Sequence, residues 1–295
     1  MTGSGGRDRT ELPDADVVAA HRSLLSSLLP HDEPDQLAVH EGQFHRVVVG
    51  SERVVCFART DAAAGRLPER AAVLRVLDGV DLGFRTPRLL GEGASYVLMS
   101  RVPGAPLEAR ELEDPAVAEA VARQYAALLT GLAAAGADEG VRAALRPPPE
   151  GEWRRFAAEV RAELFPLMTG AGRDRAEREL AALDALPRTA SAVVHGDLGG
   201  ENVLWETAAG VPRLSGVIDW DDVGLGDPAE DLAAVGASYG EGLLDRVLTL
   251  GGWVGDATVV DRIAAIRGTF ALQQALYARR DGDETELADG LAGYR

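Results

Sequence analysis

Residues 193–205 read VVHGDLGGENVLW, and residues 214–220 read LSGVIDW. Both stretches contain short apolar runs, which predict two β-strands paired as a hairpin. Three polar residues accompany these runs: Asp197, Asn202 and Asp219. Polar groups beside buried strands are costly to keep away from water, so three of them need a shared role. Asparagine and aspartate supply the hard oxygen ligands that magnesium takes alongside phosphates. A divalent metal together with a hydroxyl nucleophile would give the three residues that shared role.

The position of Asp197 suits it to handle a substrate hydroxyl. Gly196 lets the backbone turn just before it, where a side chain would clash. The Asp197 carboxylate can then accept a hydrogen bond from the hydroxyl and orient it for attack. With magnesium held by Asn202 and Asp219, the stretch offers the positioning and charge neutralisation that phosphoryl transfer requires.

The composition is that of a soluble globular enzyme. Of the 295 residues, 46% are hydrophobic and 26% are charged, which is ordinary for soluble domains. The chain has no apolar run of about 18 residues, so we expect no membrane span. Residues 1–13 are rich in Gly and Arg and lack an apolar segment, which predicts a disordered tail and no secretory signal. The single Cys56 excludes an internal disulfide and favours a cytoplasmic location, with the thiol as a small buried apolar group.

The charge limits the classes of partner. A net charge of −17 argues against nucleic acid, which binds basic surfaces. An acidic surface attracts cationic ligands, although the same charge is also explained by solubility alone. All 30 cationic residues counted as Lys or Arg are arginines, because the sequence contains no lysine.

Residues 14–101 predict a small nucleotide-binding lobe with an antiparallel sheet of five strands. A helix is expected after Asp14, with an apolar stripe that runs from Val17 to Leu28. A second helix is expected to begin at Pro68, between the third and fourth strands. The predicted strands are residues 36–39, 44–49, 53–59, 87–90 and 96–99, with a turn at residues 91–93.

Residues 102–295 predict a second lobe that is mainly helical, with the connector at residues 100–104 as the boundary. Helical patterns cover residues 115–135, 151–168 and 173–186, and helices resume at Pro228. The predicted hairpin interrupts these helices. The fold class is therefore α+β, with a β-rich lobe and a helical lobe that carries the catalytic loop and the acceptor site.

The motifs in the second lobe resemble those of a known family. HGDLGGENVLW and VIDWDDVGLGDPAEDLA are similar to the aminoglycoside phosphotransferases, antibiotic kinases that are built like protein kinases. The shared pattern is H-G-D-x4-N, then I-D-W, then G-D-P-x-x-D-L-A, and all three parts occur here in order. Two further segments, residues 41–60 and residues 265–283, resemble the viomycin and capreomycin phosphotransferases within this family. Those enzymes act on a serine of basic cyclic peptides.

The resemblance implies roles for the residues that match these motifs. Asp197 is the expected catalytic base, and Asn202 and Asp219 are the expected ligands of Mg²⁺, with ATP or GTP as phosphate donor. His195 is expected to brace the catalytic loop, and Asp231 to accept hydrogen bonds from the backbone of that loop. Asp227, just before Pro228, is more typical of a helix N-cap than of a catalyst.

The first lobe departs from the family pattern. Kinase-like folds place a lysine on the third strand to hold the phosphates, and Arg59 occupies that position here. Arginine can hold phosphate with different geometry. Its usual glutamate partner is matched by Glu69, although the helix register would select Arg70. The chain has no G-x-G-x-x-G loop, only a short turn at residues 41–45, which argues against phosphate binding by that turn. The connector residues Ser100 and Val102 are expected to contact the purine through backbone groups.

The second lobe leaves little room for a protein substrate. Eight residues separate Asp219 from Pro228, which is too few for the activation segment that docks peptides in protein kinases. The acceptor is therefore expected to be a small molecule covered by the C-terminal helices. The candidate acceptor contacts are Asp221, Asp222, Tyr277, Asp281, Asp283 and Glu284.

These observations lead to one main hypothesis and several alternatives. The main hypothesis is an antibiotic-resistance kinase, a monomer, that phosphorylates a hydroxyl of a basic cyclic peptide of the viomycin and capreomycin type. The alternatives with the same chemistry are kinases for aminoglycosides, macrolides or small metabolites such as amino alcohols. A non-catalytic nucleotide-binding protein would explain the missing lysine, but it would not require Asp197, Asn202 and Asp219 together.

Overall fold

The structure of the protein is a computed structural model that describes residues 14–42, 45–147, 149–208, 210–253 and 256–295. The predicted tail at residues 1–13 and part of the turn at residues 41–45 therefore lie outside the described residues. The chain forms two compact units, residues 1–72 with 87–101 and residues 73–86 with 102–295. The sequence placed residues 73–86 in the first lobe. They group with the second unit because Leu77 and Leu82 are part of its large core.

The first unit contains the predicted five-stranded antiparallel sheet, in the order β1-β2-β3-β5-β4. Its elements are α1 (Asp14–Ala20), α2 (Arg22–Leu28), β1 (Ala38–Glu41), β2 (His45–Val49), β3 (Arg53–Ala58), α3 (Asp61–Ala64), the start of α4 (Leu67–Asp78), β4 (Leu89–Gly93) and β5 (Tyr96–Ser100). The single helix expected after Asp14 is instead the pair α1 and α2. The turn between β4 and β5 was predicted at residues 91–93, but these residues belong to β4, and residues 94–95 connect the two strands.

Alternation along the strands of the first unit places apolar side chains on one face of the sheet. Val55 and Phe57, two residues apart on β3, share that face. They form one buried cluster with Val48, Leu98, the helix residues Val17, Val18 and Leu25, and Leu29 just after α2. The side chain of Cys56 points to the other face of the sheet and is buried, as predicted.

The second unit is mainly helical. Its helices are the remainder of α4, then α5 (Pro115–Ala135), α6 (Glu139–Ala144), α7 (Glu152–Glu163), α8 (Gly170–Asp184), α9 (Pro228–Tyr239), α10 (Glu241–Leu250), α11 (Ala257–Gly268), α12 (Phe270–Asp281) and α13 (Glu284–Gly290). The bounds of α5 match the prediction. Helix α8 begins earlier than predicted because the hydroxyl of Thr169 caps it by accepting from the backbone N–H of Gly172.

The strands of the second unit pair differently from the prediction. They are β6 (Ala105–Pro106), β7 (Ala192–Val194), β8 (Val203–Ala208), β9 (Val211–Val217) and β10 (Gly224–Gly226). The hairpin is β8 with β9, extended by β6, whereas β7 pairs with β10. The first apolar run therefore does not join the hairpin. The predicted polar residues lie at strand ends, with Asp197 after β7, Asn202 just before β8 and Asp219 after β9.

Two buried clusters hold the second unit together. The larger one packs α5, α9, α10 and α11 around the strands and includes Tyr125, Trp205 and Trp220. The smaller one joins α7, α8, α12 and α13 through residues such as Val160, Leu180, Leu272 and Tyr294. Fully burying a large apolar side chain contributes about 1.5–3 kcal/mol relative to leaving it exposed. The larger cluster includes Val193, Leu198 and Val203, so it extends to the segment that carries the catalytic loop. Within the described ranges, every helix is too short or too polar to cross a membrane.

Candidate active site

The loop between β7 and β8 is held by helix α9. Asp231 is buried, and its carboxylate accepts from the backbone N–H of His195 at 2.9 Å and from that of Gly196 at 3.2 Å. The contact implied by the family resemblance is thus present. Asp227 caps the start of α9 by accepting from the backbone N–H of Ala229 at 3.1 Å, as its sequence position predicted.

His195 braces the same loop from inside. Its ring is fully buried, its Nε2 donates to the carbonyl of Ile218 at 2.9 Å, and its Nδ1 accepts from the backbone N–H of Asp197 at 3.2 Å. The ring edge packs against Trp220 at 4.6 Å between centroids. Burial lowers the pKa of His195 to about 4, so the imidazole is neutral near pH 7. A neutral ring whose two nitrogens are both engaged in hydrogen bonds within the protein acts as a brace for the loop.

Gly196 is required by the turn that leads into Asp197. Its φ is +85°, and a Cβ there would lie 2.7 Å from the backbone oxygen of Asp222. Only glycine adopts this conformation without strain and also leaves room for the neighbouring segment. This close approach places residues 221–222 beside the loop that carries Asp197.

Asp197, Asn202 and Asp219 lie close to one another. The Asn202 side-chain amide donates to both the carboxylate and the backbone oxygen of Asp197, each at 2.9 Å. The backbone N–H of Ile218 donates to the carbonyl of Asn202 at 2.9 Å, and Asp219 follows directly in the chain. The end of β9 and the start of β8 therefore bring the candidate base and the two candidate ligands into one site.

Asp219 has an unusual backbone conformation. Its φ of +61° makes it the non-glycine residue with a positive φ in the described part of the chain. Aspartate tolerates this left-handed region better than most residues, but the conformation still costs about 1 kcal/mol. Such strain persists where the surrounding structure fixes it, and it is concentrated at functional sites.

Electrostatics set Asp197 apart from an ordinary surface carboxylate. Burial raises its pKa, the charge of Asp219 raises it further, and the hydrogen bond from Asn202 opposes both effects. A cation placed beside the two carboxylates would oppose the effect of the Asp219 charge and stabilise the ionised form of Asp197. A raised pKa also makes Asp197 a better proton acceptor than an exposed aspartate.

The donor set fits a magnesium ion that arrives with its substrate. No group of three or more His, Cys, Asp or Glu side chains is arranged to hold a metal within the residues described. Magnesium usually takes one or two carboxylates and completes its shell with waters and substrate phosphates. Because the amide nitrogen of Asn202 is used by Asp197, its carbonyl oxygen is the atom available as a ligand beside the Asp219 carboxylate.

The buried carboxylates on α9 predict how stability depends on pH. Burial raises the pKa of Asp231 to about 7 and that of Glu230 to about 7. In the folded state each group keeps its proton up to about pH 7, whereas in the unfolded chain it loses the proton near pH 4. The free energy of unfolding is therefore expected to fall as pH rises from about 5 to 7, by up to about 1.4 kcal/mol per pH unit for each group.

The variant Glu230→Gln tests this pH dependence. Glutamine can still accept from the backbone N–H of Asp227, the 3.1 Å bond of the capping box, but it cannot titrate. Urea denaturation at pH 5, 6 and 7 should show a shallower decline for the variant than for the wild type. Glu113→Gln, at an exposed position, is the control and should keep the wild-type slope. If the free energy of unfolding of Glu230→Gln declined with pH as steeply as that of the wild type, the raised pKa of Glu230 would be contradicted.

The predicted nucleotide contacts in the first unit have the following positions. Arg59 lies just after β3, which ends at Ala58, and its guanidinium donates to the carbonyl of Gly42 at 2.9 Å. Glu69 is exposed on α4. The hydroxyl of Ser100 accepts from the backbone N–H of Arg88 at 2.9 Å, so its side chain is used within the sheet edge. Val102 is buried and begins the second stretch of the second unit, residues 102–295.

The predicted acceptor contacts form two groups. Asp222 and Tyr277 are close enough that the charge of Asp222 raises the pKa of Tyr277, after burial as the larger cause. Asp221 is exposed beside Asp222. Asp283 has a structural role, because its carboxylate caps α13 by accepting from the backbone N–H groups of residues 285 and 286, each at 3.0 Å. Asp281 ends α12, and Glu284 begins α13.

Glu152, at the start of α7, was missed by the sequence analysis. Burial raises its pKa, and the charge of Asp222 raises it as well. The charge of Glu152 also contributes to the raised pKa of Tyr277. An acidic group on a helix 70 residues before Asp222 leaves no local signal, so only the fold reveals that Glu152, Asp222 and Tyr277 share one region.

The chain is similar to known phosphotransferases. Residues 37–258 match the phosphotransferase enzyme family. Viomycin phosphotransferase of Streptomyces vinaceus is 70% identical over 286 residues, which cover 95% of this chain and 99% of that protein.

Solved structures agree on the fold. The GDP and kanamycin complex of the aminoglycoside phosphotransferase APH(2'')-IIIa superimposes with a TM-score of 0.79 at 20% identity, covering 92% of this chain and 96% of the other. Macrolide 2'-phosphotransferase MphH from Brachybacterium faecium gives a TM-score of 0.69 at 21% identity, covering 92% and 98%. These matches confirm the kinase-like fold expected from the motifs. On its motifs, its fold and its 70% identity to a phosphotransferase over nearly its whole length, the chain belongs to the phosphotransferase enzyme family.

Proposed function

We propose that this protein is an antibiotic-resistance kinase that transfers the γ-phosphoryl group of ATP to a serine hydroxyl of a basic cyclic peptide antibiotic of the viomycin and capreomycin type. The observation that carries the proposal is the 70% identity to a viomycin phosphotransferase over 95% of the chain. The grouping of Asp197, Asn202 and Asp219 supports it independently, because a family member released from catalysis would not need all three.

In the proposed reaction Asp197 acts as the base. Its carboxylate accepts the proton of the acceptor hydroxyl as the hydroxyl oxygen forms a bond to the γ-phosphorus. The bond between that phosphorus and the oxygen bridging to the β-phosphate breaks, and ADP leaves with the electron pair. Asn202 orients the Asp197 carboxylate through its 2.9 Å hydrogen bond, so the accepting oxygen faces one direction. Phosphoryl transfer depends on this kind of positioning more than on covalent chemistry by the protein.

The remaining roles follow from the residues at hand. Asn202 and Asp219 would hold magnesium through their side-chain oxygens, and the ion would neutralise phosphate charge when bound. Arg59 is proposed to contact the nucleotide phosphates with its guanidinium, with Glu69 as its helix partner. The backbones of Ser100 and Val102 are proposed to contact the purine.

The acidic region around Tyr277 suits a cationic acceptor. Asp222 and Glu152 both act electrostatically on Tyr277, and the net charge of −17 attracts cations over longer distances. We propose that the cationic groups of the antibiotic contact Asp221, Asp222 and Glu152. Asp281 and Glu284 are proposed to contribute at the margin of this region, and Asp283 to order it as the cap of α13.

The proposal predicts a ranking of acceptors. In a coupled assay of ADP release, viomycin and capreomycin should support turnover at values of kcat/KM well above those for kanamycin, a macrolide or an amino alcohol, with ATP and GTP compared as donors. ADP release with an aminoglycoside but with neither cyclic peptide would overturn the acceptor. Release with none of the antibiotics would favour the metabolite kinase or the binding protein.

A further inference from the structure

Helix α9 contacts the catalytic loop at a second point besides Asp231. The backbone N–H of Gly200 donates to the hydroxyl of Ser238 at 2.9 Å. Asp231 and Ser238 are seven residues apart, which is two turns, so both side chains project from the same face of α9. Asp231 accepts hydrogen bonds from residues 195 and 196 at the start of the loop, and Ser238 accepts one from Gly200 near its end.

The hydroxyl of Ser238 is fixed in direction. It donates its own hydrogen to the carbonyl of Ala234, one turn earlier on α9, at 3.0 Å. Because the hydrogen is used in that bond, the oxygen lone pairs face away from the helix backbone and toward Gly200. The serine is therefore held as an acceptor with a set orientation.

The loop backbone lies directly against α9 at Gly200. A Cβ on Gly200 would lie 2.6 Å from the hydroxyl oxygen of Tyr239, so a larger residue would push the loop away from the helix. Gly200 also begins a 3₁₀ helix of three residues that ends at Asn202. The position of Gly200 thus sets the position of Asn202 two residues later, and through it the Asp197 carboxylate.

We propose that Ser238 is a positioning residue for the phosphoryl-transfer site, which holds the Gly200–Asn202 turn so that Asn202 faces both Asp197 and the magnesium site. This inference rests on the proposed function only for the roles of Asn202 and Asp197. Ser238 itself touches neither substrate nor metal. No sequence pattern singles out Ser238, since a serine near the end of an amphipathic helix is ordinary.

The first test follows the contact in the free protein. Hydrogen exchange of the Gly200 and Asn202 amides, measured by NMR, should be faster in Ser238→Ala than in the wild type, by about fivefold or more for the loss of one hydrogen bond. Ser238→Thr retains a hydroxyl and should restore slow exchange. Thr130→Ala is the control, because Thr130 makes the same bond to the carbonyl four residues earlier, at 2.7 Å, without touching the loop.

The second test reads the magnesium site. Partners that support a metal ligand contribute about 10- to 100-fold to metal affinity or activity. Titration calorimetry should therefore show that Ser238→Ala needs about tenfold more Mg²⁺ to reach full ATP affinity, and its kcat should fall with little change in the KM of the acceptor. Ser238→Thr should recover most of both quantities, and Thr130→Ala should match the wild type.

The two tests separate a wrong positioning role from a wrong function. Neither amide exchange nor ATP binding requires the antibiotic, so a wild type that fails to phosphorylate viomycin refutes the acceptor and leaves both results interpretable. Unchanged exchange at Gly200, or an unchanged Mg²⁺ requirement in Ser238→Ala, would overturn the proposal. A Ser238→Ala protein that only melts earlier, with wild-type kcat and Mg²⁺ requirement, would show a purely structural role and would also overturn it.

Discussion

Asp197→Asn is expected to reduce kcat by about 10²- to 10⁴-fold, the usual contribution of a general base, while leaving the affinity for Mg²⁺ and ATP near the wild-type value. The amide has the shape of the carboxylate, and its oxygen can still accept from Asn202, a bond of 2.9 Å in the wild type. The variant therefore keeps the loop in place and loses only the group that takes the hydroxyl proton. Turnover by ADP release and ATP affinity by calorimetry are the two measurements.

The control for Asp197→Asn lies on the same loop. Glu201 is an exposed carboxylate four residues away, and Glu201→Gln should retain most of the wild-type kcat. If Asp197→Asn also retained most of its kcat, Asp197 would not be the base. If both variants lost activity equally, the loss would come from the charge of the loop in general.

Asp219→Asn is expected to lower the Mg²⁺-dependent affinity for ATP by at least the 10- to 100-fold that even indirect partners of a metal contribute. Asparagine tolerates the left-handed conformation, φ +61°, so the backbone should stay unchanged. The substitution removes the charge that raises the pKa of Asp197. The thermal midpoint should therefore be equal to that of the wild type or higher, while function is lost.

Calorimetric titrations of ATP at several Mg²⁺ concentrations test whether Asp219 is a magnesium ligand. The wild type should bind ATP more tightly as Mg²⁺ increases, and Asp219→Asn should lose most of that dependence. Asp221→Asn, two residues along the same segment and exposed, is the matched control and should keep it. An unchanged Mg²⁺ dependence in Asp219→Asn would exclude Asp219 as a ligand.

Much of the site could be predicted from the sequence because its residues are close in the chain. Asp197 and Asn202 are five residues apart, so one tight loop brings them together whatever the rest of the fold does. The family motifs then extend this local pattern to Asp219 and Asp231. The fold class could also be predicted, because five β-type runs followed by long helical patterns fit few architectures.

The features that could not be predicted from the sequence depend on contacts between segments that are distant in the chain. The run at β7 has only three residues, all buried, and such a short run does not specify a partner, so its pairing with β10 could not be inferred from periodicity. Glu152 and Ser238 belong to helices whose patterns explain them as ordinary surface residues. Only the tertiary arrangement places Glu152 near Asp222 and Ser238 against Gly200.

Arg59 marks the limit of the sequence argument in the first unit. Its place in the motif assigns it to the nucleotide phosphates, and in the structure its guanidinium donates to the carbonyl of Gly42. A guanidinium has five donors, so this bond and a phosphate contact are compatible. The role of Arg59 therefore stays a prediction.

The most direct test of the central claim is the mass of the antibiotic after reaction. Viomycin incubated with Mg²⁺, ATP and the wild-type protein should gain the mass of one phosphoryl group, with fragmentation placing it on a serine. The same incubation with Asp197→Asn should leave the antibiotic unmodified. An unmodified antibiotic after incubation with active, ATP-binding wild-type protein would contradict the account.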